Sequence, residues 1–263
     1  MSQATELALA ADGRVLHTPV LCERIVALLS PALADTGALL VDCTLGMGGH
    51  SAALLSANPT ARLVGIDRDA AALEVAAAHL APFGDRVRLI RAGFAELEEV
   101  LASLKVSKVS AVLADLGLSS LQIDDTERGF AYATASPLDM RMDTRQSLTA
   151  YDIVNTWSEA ELGRIFGEYG EERFATRIAK AVVAARPIGD SAELTATVRA
   201  ALPAAVRYGD DTGHPAKRVA QALRIAVNGE LDQLATLLDD DLTHLQVGGR
   251  MAVLSYHSLE DRM

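Results

Sequence analysis

Between residues 39 and 115 the chain sets four short, near-continuously apolar runs, at 39–43, 63–67, 86–91 and 109–115, between three stretches of helical spacing at 49–57, 70–80 and 96–104. Strands apolar on both faces are what a parallel sheet requires when helices cover both of its sides. The alternation predicts βαβ units and a doubly wound α/β domain, in which reactive groups gather at the carboxyl ends of the strands. It then stops. From about residue 120 to 214 no comparable run occurs, and helical spacing is found at 149–154, 159–169, 172–185 and 191–201, with Pro187 and Pro203 following the last two. Helices at 216–228 and 230–245, a turn at Gly248-Gly249-Arg250 and a fifth apolar run at 251–255 complete the pattern. The expected organisation is a sheet domain at 1–119 and 215–263, interrupted by a mostly helical insertion at 120–214.

Composition narrows the class further. With 263 residues, 50% of them apolar, the chain is long enough for a sizeable core. Its two cysteines, Cys22 and Cys43, make at most one bridge, so a reduced protein is expected. Glu6, Asp12, Arg14 and Glu23 interrupt every stretch that a signal peptide would need, and no window approaches the ~20 uncharged apolar residues of a bilayer span. A soluble, cytoplasmic protein with no membrane partner is the expectation. His17, His50, His79, His214, His244 and His257 show no ligand spacing with a cysteine or carboxylate motif, and no metal is expected. A net charge of −11 argues against indiscriminate attachment to phosphate backbones. The stretch 173–224 nevertheless carries nine basic residues (Arg173, Arg177, Lys180, Arg186, Arg199, Arg207, Lys217, Arg218, Arg224) against four acids, a local balance of +5 that suits a phosphate-binding face.

The joint between the first strand and first helix reads Asp42-Cys43-Thr44-Leu45-Gly46-Met47-Gly48-Gly49-His50. Glycines there permit a tight turn and close approach to a ligand, beside the N–H groups of a helix terminus. A dinucleotide fingerprint starting at Gly46 needs glycine at 51, where Ser51 stands. Asp67 ends the second strand, 18 residues past Gly49, where a carboxylate can accept both ribose hydroxyls. Glycine turn and acid together indicate a nucleoside-containing cofactor. The string Asp-x-Thr-x-Gly-x-Gly resembles the first motif of class I S-adenosylmethionine methyltransferases, with Thr44 in place of the first glycine, and the resemblance implies that cofactor. Phe94 after the third strand packs either on an adenine ring or in the core. Asp115 ends the fourth strand in Asp115-Leu116-Gly117-Leu118-Ser119-Ser120, and a carboxylate there can orient an exocyclic amine for methyl transfer. Amino-methyltransferases of DNA carry Asp/Asn-Pro-Pro-Tyr/Phe at this point, so the stacking aromatic is missing from that position. Cys43 lies in the cofactor loop and Cys22 in the N-terminal helix, which argues against a cysteine nucleophile.

Several longer strings resemble one family: His17-Thr18-Pro19-Val20-Leu21, Gly48-Gly49-His50-Ser51, Asp115-Leu116-Gly117-Leu118-Ser119-Ser120, Gln122, Arg128-Gly129-Phe130, Pro137-Leu138-Asp139-Met140-Arg141-Met142-Asp143, Tyr169-Gly170-Glu171-Glu172, and the run from Ser255 through Tyr256 and His257 to Arg262. They are similar to the ribosomal RNA small-subunit methyltransferase H family. The resemblance implies methyl transfer from S-adenosylmethionine to the N4 amine of a cytidine in the decoding region of small-subunit (16S) ribosomal RNA, with the RNA met in a ribosomal particle and a homo-oligomer allowed. It places cofactor contacts on Gly48, Gly49, His50, Asp67, Phe94, Asp115 and Gln122; His50 and Gln122 rest on the resemblance alone. Asp115 is the candidate catalytic group. Arg141 and the Lys217-Arg218 pair beside His214-Pro215 sit in family-like strings and are the candidate RNA contacts. His257, on the fifth-strand rim, either helps position the base or has a structural role. Family members run on past the position of Met263, so the expected class I methyltransferase sheet would lack its C-terminal strands and leave the fifth strand as an edge. The alternative reading is a cofactor- or RNA-binding assembly protein that does not turn over. A nicotinamide-dependent oxidoreductase comes third, disfavoured by Ser51 and by the Asp115 string.

Overall fold

Strands β1 (Leu39–Asp42), β2 (Arg62–Asp67), β3 (Val87–Arg91), β4 (Val109–Asp115) and β5 (Leu245–Leu254) form one parallel sheet in the order β3-β2-β1-β4-β5. They belong to a computed structural model that describes residues 19–130, 135–204 and 216–263, without the side chains of residues 240–242. Alternate strand residues divide the apolar side chains between two layers. On one face Leu40, Leu63, Ala111 and Leu113 pack with Ile25 and Leu29 of α1 (Cys22–Leu29) and Leu54 and Leu55 of α2 (Gly49–Ala57). On the other, Val41, Val64, Ile66 and Val112 pack with Leu97 and Leu101 of α4 (Leu97–Ser103) and with Leu234 and Leu237. Between α2 and α4, helix α3 (Ala70–Leu80) starts at Asp69, whose carboxylate accepts the Ala71 N–H. Each fully buried aliphatic side chain contributes about 1.5–3 kcal/mol, so these layers fix the ends of β1, β2 and β4 firmly.

β5 begins at Leu245, six residues before the apolar run at 251. Val109 pairs with Leu245 while Ala111 pairs with Arg250, so the extra residues on β5 bulge out of the ladder, with Gly248 in the left-handed region at φ 81°. The glycine pair that reads locally as a turn between elements is an irregularity within one strand pairing.

The chain divides into two compact units, one holding the sheet (residues up to Ser119, and Asp232–Met263) and one spanning Ser120–Leu231. The second is helical among its described residues: Ser120–Asp124, Ala150–Thr156, Glu159–Glu168, Ala175–Ala184, Ser191–Ala201 and Lys217–Asn228. Thr149 and Ser158 open two of these helices with reciprocal capping bonds to Asp152 and Glu161. Leu162, Phe166, Ile178, Val182, Val198 and Leu223 are buried at their centre. The helix Lys217–Asn228 falls in this unit, because its apolar face packs on Glu159–Glu168 and Ala150–Thr156. By its contacts, the helical unit extends to Leu231. No helix among the described residues is long and apolar enough to cross a membrane.

Candidate active site

β1 and β4 are neighbours from which the chain departs to opposite sides, the place where sheets of this kind open a crevice beyond their carboxyl ends. The loop from β1 to α2 closes over that point. Leu45 N–H donates to the Ile66 carbonyl (2.9 Å), Gly48 N–H to the Leu45 carbonyl (2.8 Å), and His79 Nδ1 lies 2.8 Å from the Met47 carbonyl. Gly48 caps α2 at φ 81°, a conformation glycine adopts without strain. A Cβ on Gly49 would lie 2.5 Å from Pro19 Cγ, so the helix start is open only to glycine. Asp67, at the end of β2, accepts Gly46 N–H on Oδ2 (2.7 Å) and Asp69 N–H on Oδ1 (2.8 Å). Its burial pushes its pKa up against those two bonds. Asp67 thus holds the glycine loop in place, and each oxygen keeps a second lone pair for a ligand hydroxyl.

The residue that breaks the glycine motif has a structural use. Thr44 Oγ1 accepts the backbone N–H of Asp115 (2.6 Å) and so fastens the end of β4 to the β1 loop. The Asp115 carboxylate is held from the neighbouring strand: Tyr256 Oη donates to its Oδ1 at 2.7 Å. His50 Nε2 lies 3.4 Å from Oδ2, an ion-pair distance without hydrogen-bond geometry. His50 is 6% exposed, and neither of its ring nitrogens has a hydrogen-bond partner. Behind it Asp42 is buried, receiving Ser51 Oγ–H on Oδ2 (2.6 Å) and Thr44 N–H on Oδ1 (3.2 Å). Desolvation pushes the Asp42 pKa up to about 6, against those bonds and the nearby His50. Neither Asp42 nor Tyr256 stood out as a site residue in the sequence. The available signals were the leading acid of the glycine string and an aromatic directly after the fifth apolar run.

The other expected residues are placed as follows. Phe94 is 8% exposed in the apolar layer under β1 and β4, with the Arg68 guanidinium 5.2 Å from its ring centroid. Gln122 is buried on Ser120–Asp124, in the helical unit. Arg141 is clamped within its own loop, pairing with Asp139 through Nε (2.8 Å) and Nη2 (2.7 Å) and donating from Nη1 to the Gln146 carbonyl (2.9 Å). Its guanidinium fixes that loop. His257 caps Ser258–Asp261: Nδ1 accepts Glu260 N–H (3.4 Å) and Nε2 lies 3.2 Å from Glu260 Oε1. Lys217 and Arg218 are exposed, Arg218 donating to the Glu171 carbonyl (3.1 Å). Of the nine basic residues, Arg186 is bound to the carbonyls of Val154 and Trp157, and Arg224 makes a twofold pair with the buried Glu230. Arg173, Arg177, Lys180 and Arg199 join Lys217 and Arg218 on the surface. His17, Thr18, Arg207, His214 and Pro215 lie outside the described residues.

The sequence profile of the MraW methylase family matches residues 14–263. The chain belongs to that family. A protein of Thermobifida fusca named ribosomal RNA small subunit methyltransferase H is 54% identical over 250 residues, covering 94% of this chain and 75% of its own length. One of the same name from Saccharopolyspora erythraea is 55% identical over 260 residues, covering 97% and 78%. Among solved structures, an rRNA methylase of Streptococcus thermophilus aligns with 18% identity over 47% of this chain and 71% of its own, with a TM-score of 0.30. Membership agrees with the motif resemblance, and the parallel sheet order β3-β2-β1-β4-β5 is that of a class I, Rossmann-like methyltransferase. A methylase family requires a methyl donor, and the β1 loop with the ends of β2 and β4 is where this sheet can hold one.

Proposed function

We propose that this chain methylates the exocyclic N4 amine of a cytidine in the decoding region of small-subunit ribosomal RNA, in a ribosomal particle in the cytoplasm, with S-adenosylmethionine as donor. The observation that carries the reading is the Asp115 carboxylate, fastened at the sheet rim by Thr44 and Tyr256 beside the glycine loop. The residues fit the cofactor. The left-handed Gly46 and Gly48 turn the loop, Asp67 keeps lone pairs for ribose hydroxyls, and the buried His50 has unmet ring nitrogens beside the loop. Gly48, Gly49, His50 and Asp67 would hold it, with Phe94 as a further contact from the family resemblance. When bound, S-adenosylmethionine supplies an electrophilic methyl carbon on its sulfonium sulfur.

The chain's own contribution is to orient and deprotonate. The N4 lone pair of cytosine is delocalised into the ring, and an amino hydrogen donated to a carboxylate raises its availability. Asp115 Oδ1 is already engaged by the phenol, which leaves Oδ2 to accept that hydrogen and to take the proton as the N–C bond forms. The names of the relatives support small-subunit ribosomal RNA as the substrate class, and the exposed Lys217 and Arg218 support a phosphate-bearing partner. The test is transfer of labelled methyl from S-adenosylmethionine to small-subunit particles, followed by digestion and nucleoside analysis. The expected product is N4-methylcytidine, with the rate reduced by a factor of roughly 10²–10⁴ in Asp115→Ala. Label in another nucleoside, or an undiminished rate in the variant, overturns the reading.

A further inference from the structure

The loop after Asp115 contains no aromatic side chain, whereas the neighbouring strand brings one to the same carboxylate. Tyr256 follows β5 by two residues and is 53% exposed. Three contacts hold it. Its hydroxyl donates to Asp115 Oδ1 at 2.7 Å, its backbone N–H donates to Glu260 Oε2 at 2.8 Å, and its ring edge lies over Gly117, where an added Cβ would come 3.7 Å from Cδ2. Gly117 takes φ 94° there, bringing the backbone after β4 under the ring without a side chain between. Burial and the neighbouring Asp115 charge both push the phenol pKa up, so the hydroxyl remains a donor at neutral pH. The result is a flat, exposed aromatic surface already ordered before any ligand arrives, with a carboxylate bonded to its far end.

We propose that the exposed face of Tyr256 is the platform on which the target base stacks, placing the base's amine against Asp115. The inference deepens the function proposed above and rests on it. RNA-modifying and RNA-reading proteins take bases out of the helix and stack them on aromatic rings. A ring already fixed by its hydroxyl and by its backbone loses little freedom when the base lands. Because the phenol oxygen and Asp115 Oδ1 are in hydrogen-bond contact, a base lying on the ring reaches the carboxylate with an exocyclic group at its edge, whereas a ribose hydroxyl displaced from the base plane does not. Tyr256 thereby takes the place of the aromatic absent after Asp115, supplied from β5 rather than β4.

Tyr256→Phe and Tyr256→Ala separate the ring from the hydroxyl. With small-subunit particles as substrate, Tyr256→Ala should lower kcat/KM for RNA by about 5- to 150-fold, the range of one lost base stack, and Tyr256→Phe by no more than about fivefold. Both should bind S-adenosylmethionine within about twofold of the parent chain and keep its unfolding midpoint. A readout independent of turnover uses an RNA hairpin with pyrrolo-cytidine at the target position: its emission should be quenched by the parent chain and by Tyr256→Phe, but not by Tyr256→Ala. Equal losses in both variants, full activity in Tyr256→Ala, or no quenching by the parent chain overturns the platform. If instead the methyl lands on a nucleoside other than N4-methylcytidine, the proposed function fails while the Phe-against-Ala contrast still reports on the ring.

Discussion

Thr44 shows how a single side chain can depart from a motif and still serve its purpose: its hydroxyl gives up the freedom of a glycine and gains the backbone N–H of Asp115. Asp67 and Asp115 were legible in the sequence because each ends an apolar run, and the end of a parallel strand is where a carboxylate faces the crevice. Asp42 was not, since its importance comes from burial behind His50 and from Ser51, neither visible in a local string. Its raised pKa has a definite consequence. Near pH 4 the folded chain keeps the Asp42 proton while the unfolded chain begins to lose it, and between there and about pH 6 every further rise in pH favours the unfolded state. Above pH 6 the full cost of burying the charge is present, on the order of 3 kcal/mol for a shift from 3.8 to about 6. Asp42→Asn removes the titration, so its stability relative to the parent chain should grow by about 2 kcal/mol between pH 4.5 and pH 7.5 in denaturant unfolding, the remainder of the cost being already present at the lower pH. A difference that stays constant across that range contradicts the assignment.

At the level of elements, the sequence marked the first four strands and most helices, because continuous apolar runs and period-3.6 apolar patterns are local. It misplaced the start of β5, where Gly248 and Gly249 belong to a bulge whose partner residues Val109 and Ala111 lie far away in sequence. It also grouped the helix Lys217–Asn228 with the sheet domain, since an amphipathic pattern says that a face is buried but not against what. The end of that helix supplies a test. Asn228 is buried, accepts Met142 N–H (2.8 Å), and donates to the carbonyls of Met140 (2.8 Å) and Arg224 (2.9 Å). It suspends the loop that carries Arg141. Asn228→Ala strands these buried backbone groups, and a loss of about 2–4 kcal/mol in denaturant unfolding is expected. A loss below about 1 kcal/mol contradicts the loop's dependence on this side chain.

For the molecule as a whole, the alternation of runs led to the fold class and the motif strings led to the family, whereas the charge count led only part of the way. Nine basic residues read as one face, but Arg186 and Arg224 hold the helical unit together, and Arg141 does the same for its loop. Sequence counts charges without showing which are already matched by an acid or a carbonyl. The central claim is the proposal that the loop between β1 and α2, stapled by Asp67 and fastened to β4 by Thr44, is where S-adenosylmethionine would be held beside Asp115. The most direct measurement is a calorimetric titration of the 263-residue chain and of Asp67→Ala with S-adenosylmethionine, each shown to be folded by its unfolding transition. The account predicts saturable, one-site binding by the parent chain and its loss in the variant; no binding by the folded parent chain, or equal binding by both, contradicts it.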